Sequence, residues 1–356
     1  MENFLKRLEE LLKTHLKETY LPPHRARTPG WTHHDLKFFA KGADLLSTAF
    51  TEGRAELPKN YFNRKEYRSG FLLYYVLPTF VKVWKCLEQL PPYLKDHPLK
   101  ILDLGSGPGT VALACSAFFA DQPLEILAFE QNRIIGRDAM ALWKKWAPSH
   151  HRCSFIHQPI PNQKIDLAFA SYFFTEIPRR EQLNWSREIL NKTALFIIVE
   201  PATQQGTRQL MTLRDEILRS GFAQVLAPCL HQQNCPMLAA NRRDWCHFYI
   251  DWKCPALIRQ IDQITGNKHD YLKMAYMILG RTADYGLRTT DLWRVVSSPL
   301  ISKGKKEFNL CGSNGKLQKI GRLDRHKNQF PVFDRIQRGD VLSGRLDSPN
   351  IAVKKF

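Results

Sequence analysis

Long hydrophobic runs are missing from this sequence. The longest apolar stretch, Phe71 to Leu77, ends at Pro78 and is far shorter than the roughly 20 residues that cross a bilayer as a helix. Residues 1–12 are amphipathic and contain three glutamates. They have neither the apolar region of a signal peptide nor the acid-poor composition of a transit peptide. These absences predict a cytoplasmic protein with no membrane partner.

Negative charge is also scarce. The 356 residues include 52 Lys and Arg against 34 Asp and Glu, which gives a formal net charge of +18. An excess of this size favours a polyanionic partner, either a nucleic acid or an anionic membrane face. The length accommodates one large α/β domain and one or two smaller ones.

A glycine-rich turn follows the first strand of the predicted α/β alternation. Residues 99–104 are predicted to form that strand, Gly105, Gly107 and Gly109 lie in the turn, and Thr110 opens a helix. Glycine lets the backbone approach a ligand closely, and the helix N-terminus favours an anionic ligand group. A dinucleotide fingerprint, G-x-G-x-x-G/A, is one interpretation, but its third small position falls on Thr110.

The spacing of the turn resembles motif I of the class I S-adenosylmethionine (SAM) methyltransferases. The resemblance implies that Asp103 lies near the methionine end of SAM and that the backbone of Gly105, Gly107 and Gly109 lines the ligand. Glu130 ends the next predicted strand. One carboxylate can accept hydrogen bonds from both ribose hydroxyls of an adenosine, so Glu130 is the predicted ribose ligand.

Alternating strand and helix signals predict an α/β fold with a parallel, doubly wound sheet, whose ligands bind beyond the carboxyl ends of the strands. The resemblance makes this the Rossmann-like sheet of a class I SAM methyltransferase. We expect a helical N-terminal region over 1–95, the SAM methyltransferase-like domain over 96–290 with a cysteine-rich insert at 228–254, and a small basic β-rich module over 291–356. Residues 271–279 are predicted to close the sheet as an antiparallel strand.

The loop after the fourth predicted strand does not identify a methyl acceptor. It contains neither the Asp/Asn-Pro-Pro-aromatic sequence typical of exocyclic amine methylation nor a nucleophilic cysteine. Tyr172, Phe173 and Phe174 would either stack on a flipped base or cover the pocket. Glu176 and Glu200 are weak candidates for a base, so no catalytic residue is predicted.

The insert after the sixth predicted strand concentrates cysteine. Cys229, Cys235 and Cys246 fall close together, two of them beside prolines, and soft thiolates at such spacing suit zinc or an iron–sulfur cluster. The sequence leaves several candidates for a fourth ligand, which are Cys254, Cys311, His231 and His247. The Cys-x-x-x-Cys-x-x-Cys pattern of radical-SAM enzymes does not occur.

Several motifs together resemble the ribosomal small subunit methyltransferase-like family. They are Glu200-Pro201, Pro228-Cys229-x-His231 with Cys235-Pro236, Asp244-Trp245-Cys246-His247-Phe248, and Cys311-Gly312 with Gly315. The resemblance covers roughly residues 60–340 and implies work on the small ribosomal subunit or its rRNA. It also implies a [4Fe–4S] cluster held by Cys229, Cys235, Cys246 and Cys311, with zinc as the alternative.

The basic C-terminal module is predicted to contact RNA phosphates, which would give affinity without sequence choice. Its candidates are Lys303, Lys305, Lys306, Lys316, Lys319, Arg322, Arg325 and Lys327. The leading hypothesis is a SAM-dependent rRNA methyltransferase that is monomeric when free. The alternative is a non-catalytic assembly factor that binds SAM and the cluster, and a nicotinamide-dependent redox protein is a third, weaker option.

Overall fold

The computed structural model describes residues 1–52, 57–58, 60–156, 162–281, 291–344, 346 and 351–356. The chain forms two compact units. The first contains Met1–Ile165 and Asp251–Leu272, and the second contains Asp166–Ile250 and Lys273–Phe356.

The helices of the described residues follow the predicted pattern closely. They are α1 (Glu2–Tyr20), α2 (Pro23–Ala26), α3 (His33–Glu52), α4 (Lys65–Tyr74), α5 (Val76–Leu87), α6 (Thr110–Phe118), α7 (Arg133–Trp146), α8 (Arg179–Lys192), α9 (Gln204–Ser220), α10 (Pro236–Ala240) and α11 (Ala256–Thr265).

The strands of the described residues fall into two sheets. They are β1 (Leu99–Leu104), β2 (Leu124–Phe129), β3 (His151–Ile156), β4 (Ile165–Ser171), β5 (Thr193–Glu200), β6 (Gln224–Ala227), β7 (Phe248–Asp251), β8 (Tyr271–Gly280), β9 (Leu292–Val295), β10 (Leu300–Ser302), β11 (Lys305–Gly312), β12 (Leu317–Leu323), β13 (Val341–Ser343) and β14 (Ala352–Lys354).

The larger sheet has the strand order β3-β2-β1-β4-β5-β8-β6, with β7 paired to β8. β1, β2 and β3 pair in parallel, whereas β8 is antiparallel to both β5 and β6. The order reverses direction after β1, which is the switch point where doubly wound sheets bind ligands. The predicted Rossmann-like class I methyltransferase fold and its antiparallel closing strand are therefore confirmed.

The helices before β1 bury an apolar face. Leu8, Leu12 and Leu16 of α1 are fully buried, which accounts for the helical spacing of its leucines. A break before Pro78 separates two helices, since α4 ends at Tyr74 and α5 begins at Val76. Pro78 has no N–H to donate to the carbonyl four residues earlier, so a continuous helix is disfavoured there.

Helices α3 and α4 cross at two glycines. A Cβ built on Gly42 would lie 2.1 Å from the Glu66 carbonyl oxygen, and one built on Gly70 would lie 2.4 Å from the Gly42 carbonyl carbon. No larger side chain fits at either position unless the helices move apart. The close approach of α3 and α4 therefore requires glycine at both positions.

The smaller sheet contains β9 to β14 and lies within the second unit. Its order is β10-β11-β9-β13-β14, with β12 paired to β11, and every recorded pairing in it is antiparallel. Phe308, Leu310 and Leu342 are fully buried at its core. Short alternating strands were predicted for residues 300–356, and the sheet confirms them.

Among the described residues, no single helix has the length and hydropathy to span a membrane. The pair α4 and α5 meets those criteria only when the two helices are combined, and they are bent by 47° at the break between them.

Candidate functional site

The glycine-rich turn between β1 and α6 adopts a backbone that only glycine takes readily. Gly105, Gly107 and Gly109 have φ values of +67°, +52° and +78°. Among the described residues, a Cβ on Gly107 would meet no atom within 4 Å, whereas one on Gly109 would make an ordinary contact with the Ala139 Cβ at 3.4 Å. The space beside Gly107 is therefore open to a ligand, and Gly109 is favoured by its positive φ.

Glu130 is held beside this turn by two backbone donors. Its Oε2 accepts a hydrogen bond from the Gly107 N–H at 2.9 Å, and its Oε1 accepts one from the Asn132 N–H at 2.7 Å. A carboxylate oxygen can accept more than one hydrogen bond, which is the property that the ribose prediction uses. The structure thus brings the predicted ribose ligand directly to the glycine-rich turn.

Asp103 lies at the end of β1 and is completely buried. Among the described residues, neither of its carboxylate oxygens has a hydrogen-bond partner, and the Ser106 hydroxyl is also buried without one. Burial, followed by the negative charge of Glu130, raises the pKa of Asp103 to about 8. Buried polar groups are satisfied in the great majority of cases, so Asp103 and Ser106 are candidates for contact with a ligand.

The aromatic run after β4 has a largely structural role. Phe174 is buried, and its ring centroid lies 5.7 Å from that of Phe196. The ring centroid of Phe173 lies 5.6 Å from that of Trp185. Glu200 Oε1 accepts hydrogen bonds from the Phe174 and Thr175 N–H groups at 2.9 and 3.3 Å. The loop is therefore fixed by a carboxylate that had been a weak candidate for a base.

Tyr172 differs from its two neighbours in this run. It is half-buried and has a φ of +60°, a left-handed conformation that is uncommon for a residue with a side chain. Such strain is concentrated at functional sites. Of the three aromatics, Tyr172 is the one that stays a candidate for contact with a substrate.

The four predicted metal ligands line one cavity of about 50 Å³ in the second unit. Cys229, Cys235, Cys246 and Cys311 all contribute to its wall, together with Arg214 and apolar side chains of α9 and β8. Burial and then the proximity of the other three cysteines raise the pKa of Cys246 well above its usual value. Cys254 is not among the residues that line this cavity.

Charged residues of α9 organise the cysteine loop, and sequence reasoning missed them. The Cys235 N–H donates to both carboxylate oxygens of Asp215, at 3.0 Å each. Arg214 donates to the His231 carbonyl oxygen at 2.9 Å. Arg214 is buried, and it also lies within hydrogen-bonding reach of Cys229. An Arg–Asp pair on an amphipathic helix gives no sequence signal of this role.

His231 faces the fourth cysteine of the cavity. Its Nε2 lies 3.5 Å from the Cys311 Sγ. Burial and then the charge of Arg214 lower its pKa to about 4, so the ring is neutral at pH 7. Within the described ranges, however, no group of three or more His, Cys, Asp or Glu side chains is placed to hold a metal ion. The predicted metal site is therefore not confirmed.

The eight predicted RNA-contacting residues of the C-terminal module divide into three groups. Five are exposed, which are Lys303, Lys316, Lys319, Arg325 and Lys327. Lys305 and Lys306 are half-buried and form ion pairs with Glu307 and Asp334 at 2.8 and 3.6 Å. Arg322 is buried and forms two hydrogen bonds with the Asp334 carboxylate at 2.9 and 3.0 Å. The prediction that Arg322 contacts RNA is wrong, because its guanidinium is buried and pairs with Asp334 inside the module.

A family model describes most of the chain. The model of the mitochondrial small ribosomal subunit protein Rsm22 matches residues 69–343, which is more than half of the sequence. The chain belongs to the Rsm22 family. The resemblance drawn from the glutamate-proline and cysteine motifs is confirmed, and the family links this methyltransferase-like chain to the small ribosomal subunit. Because the family description names a mitochondrial protein, a cytoplasmic location stays a prediction.

Solved structures similar to this Rsm22-family chain include several methyltransferases. The 16S rRNA methylase ArmA shares 13% identity over 67% of this chain and 98% of its own, with a TM-score of 0.36. Magnesium protoporphyrin IX methyltransferase from Synechocystis, solved with bound SAM, shares 8% over 68% and 97%, also at 0.36. A methyltransferase from Pyrococcus furiosus shares 12% over 58% and 84%, again at 0.36. No curated protein matches the sequence.

Proposed function

We propose that this chain binds SAM at the turn between β1 and α6 and transfers its methyl group to the rRNA of the small ribosomal subunit. The observation that carries the SAM site is the buried, unpartnered carboxylate of Asp103. The α-ammonium group of SAM would supply this carboxylate with both a positive charge and hydrogen-bond donors. The Ser106 hydroxyl would complete the contacts at the methionine end.

The ribose end of SAM fits the carboxylate of Glu130, whose position is fixed by the Gly107 and Asn132 N–H groups. In the reaction, an RNA nucleophile forms a bond to the methyl carbon as the carbon–sulfonium bond breaks. The bonding electrons stay on sulfur, giving S-adenosylhomocysteine, and the proton of the nucleophile passes to water. The sulfonium is already a good leaving group, so the protein contributes mainly by positioning the two reactants.

Calorimetry with SAM tests the site. Wild-type protein is expected to bind SAM, and Gly107→Arg is expected to lose binding because its side chain would occupy the open space beside the turn. Gly30→Arg is the matched control, since Gly30 also has positive φ and no atom within 4 Å of a built Cβ. SAM binding by Gly107→Arg at the wild-type affinity contradicts the proposed site.

A second function follows from the structural role of the loop after β4. Glu200 and Phe174 serve the fold there, and the loop carries no recognisable acceptor motif. A non-catalytic assembly factor that binds SAM and the small subunit is therefore the alternative. Transfer of labelled methyl groups from SAM to small subunits purified from a deletion strain separates the two. Incorporation establishes the enzyme, whereas SAM binding without incorporation supports the assembly factor.

We further propose that Cys229, Cys235, Cys246 and Cys311 hold a [4Fe–4S] cluster. The support is that four thiols and a buried guanidinium surround one cavity. Four thiolates also suit zinc, which is the alternative occupant of the same site. Thiolates carry negative charge, and Arg214 would compensate part of it.

The same proposal extends to the partner of the C-terminal module. The exposed Lys303, Lys319 and Lys327 would contact phosphates of small-subunit rRNA. Such contacts position a protein on RNA without reading its sequence, so a methylated atom would be chosen elsewhere. We propose that the protein is monomeric until it joins the subunit.

A further inference from the structure

We propose that Asn63 is a positioning residue of the SAM site. It lies on the short 3-10 turn Tyr61–Asn63, before the α/β domain, in a stretch that no SAM motif marks. Through Asn132, it would hold the Glu130 carboxylate in the orientation that receives the ribose hydroxyls. This role rests on the proposed SAM binding and extends it to the helical N-terminal part of the chain.

The contacts run from Glu130 to Asn63 through one residue, Asn132, whose backbone N–H meets Glu130 and whose side chain meets Asn63. Asn132 donates its N–H to Glu130 Oε1 at 2.7 Å and accepts at Oδ1 from the N–H groups of Ile134 and Ile135, at 3.0 and 3.2 Å. Its Nδ2 donates to Asn63 Oδ1 at 3.0 Å. The amide of Asn132 is therefore fixed at both ends, as the N-cap of α7 and as the donor to Asn63.

The turn that carries Asn63 is itself clamped. Arg68 Nη1 donates to the carbonyl oxygens of Phe62 and Asn63 at 2.7 and 3.1 Å. Arg68 Nε donates to the Tyr20 hydroxyl at 3.2 Å and lies 3.6 Å from Asp138 Oδ2. The Tyr20 hydroxyl in turn donates to Asp138 at 2.7 Å.

Asp138 is also a residue of α7, the helix that Asn132 caps. The turn is therefore attached to α7 twice, once at the first turn of the helix and once near its middle. A free surface turn has no need of such a network beneath it, in which Tyr20 and Asp138 are buried and Arg68 is half-buried. The network places Asn63 where it can restrain the residue that contacts Glu130.

Fixing Glu130 before SAM arrives lowers the conformational cost of binding. Without Asn63, the Asn132 side chain keeps only its two capping hydrogen bonds with α7. The residue whose backbone N–H holds Glu130 is then less restrained. The loss affects only ligands that use Glu130, which are those with both ribose hydroxyls. This selectivity separates a positioning role from general support of the fold.

The test compares Asn63→Ala with wild type and with Asn60→Ala, an exposed asparagine just before the same turn whose side chain makes no capping hydrogen bond. Removing one partially exposed hydrogen bond is expected to weaken SAM binding about three- to tenfold. Adenosine, measured by competition with labelled SAM, should lose affinity by the same factor. The affinity for 2′,3′-dideoxyadenosine should not change, and Asn60→Ala should bind all three ligands like wild type.

Each other outcome is informative. If wild type binds SAM and Asn63→Ala binds it equally well, the positioning role is overturned while the SAM site stands. An equal loss for adenosine and dideoxyadenosine overturns it too, since the effect then does not pass through Glu130. A wild type that binds no SAM overturns the proposed function and this role together.

Discussion

At the scale of single residues, the ionisation of Asp103 links SAM binding to pH. Its pKa is raised to about 8, first by burial and then by Glu130, so the carboxyl is largely protonated in the ligand-free protein at pH 7. A bound ammonium group favours the ionised form. Binding must therefore release a proton below pH 8, and affinity should rise with pH.

We expect the SAM dissociation constant to fall by up to about tenfold for each pH unit from 6 to 8 and to level off above that. Asp103→Asn should bind weakly and without this dependence. Calorimetry in buffers of different ionisation enthalpy measures the released proton directly. A wild-type affinity that is independent of pH over this range contradicts the raised pKa or the proposed ammonium contact.

The same carboxyl makes a prediction about stability. Because the folded-state pKa of Asp103 lies above its unfolded value, its contribution to stability is fully present below about pH 4 and is lost as pH rises through 8. Asp103→Asn removes the buried charge at nearly constant volume. Thermal unfolding without SAM should show a gain in Tm for the variant at pH 9 relative to wild type, and a smaller difference at pH 6.

Cys311 offers a test of the cluster at one atom. Protein purified without oxygen should be brown, with on the order of four irons per chain. Cys311→Ser should lose most of the iron, while Cys254→Ser, a cysteine outside the cavity wall, should keep it. Metal analysis and the visible absorbance spectrum check both. Zinc in place of iron, or iron unaffected by Cys311→Ser, refutes the assignment.

At the scale of secondary structure, the crossing of α3 and α4 limits what its glycines can become. Gly42→Ala would place a Cβ 2.1 Å from a backbone oxygen, and overpacking of this kind costs about 1–3 kcal/mol or more. Gly136→Ala in α7 is the control, since nothing lies within 4 Å of its Cβ.

Replacing a helical glycine by alanine at an open position should stabilise by up to about 1 kcal/mol. Thermal unfolding should therefore show Tm falling for Gly42→Ala and unchanged or rising for Gly136→Ala. An unchanged Tm for Gly42→Ala would mean that α3 and α4 can move apart without loss of stability.

Elements whose signal is local were predictable, and contacts between distant elements were not. Strand 99–104 was predicted at its observed bounds, because an apolar run that ends at turn residues is visible in the sequence. The glycine-rich turn, Asp103 and Glu130 were predictable because their spacing along the sequence is itself the signal. Arg214 and Asn63 were missed, because their roles depend on which segments meet in space, and helical periodicity is the same whether or not a residue has a distant partner.

At the scale of the whole molecule, the net charge of +18 should act through particular surfaces. Replacing Lys303, Lys319 and Lys327 by Glu should weaken binding to small subunits and reduce the dependence of affinity on salt. The control replaces Lys6, Lys37 and Lys41, which are exposed on α1 and α3. Both triple variants change the net charge equally, so filter binding at several salt concentrations separates local contact from overall charge. Equal losses contradict a specific role of the module.

The position of Cys311 on β11 also has a consequence for synthesis. The cavity wall includes Cys311, which lies 65 positions after Cys246. The wall is therefore incomplete while the C-terminal module is still being translated. At about 5–20 residues per second, this interval lasts several seconds. During that time three thiols of the nascent chain are accessible to oxidants and to metal donors alike, and the supply of metal at the ribosome would decide which reaches them first.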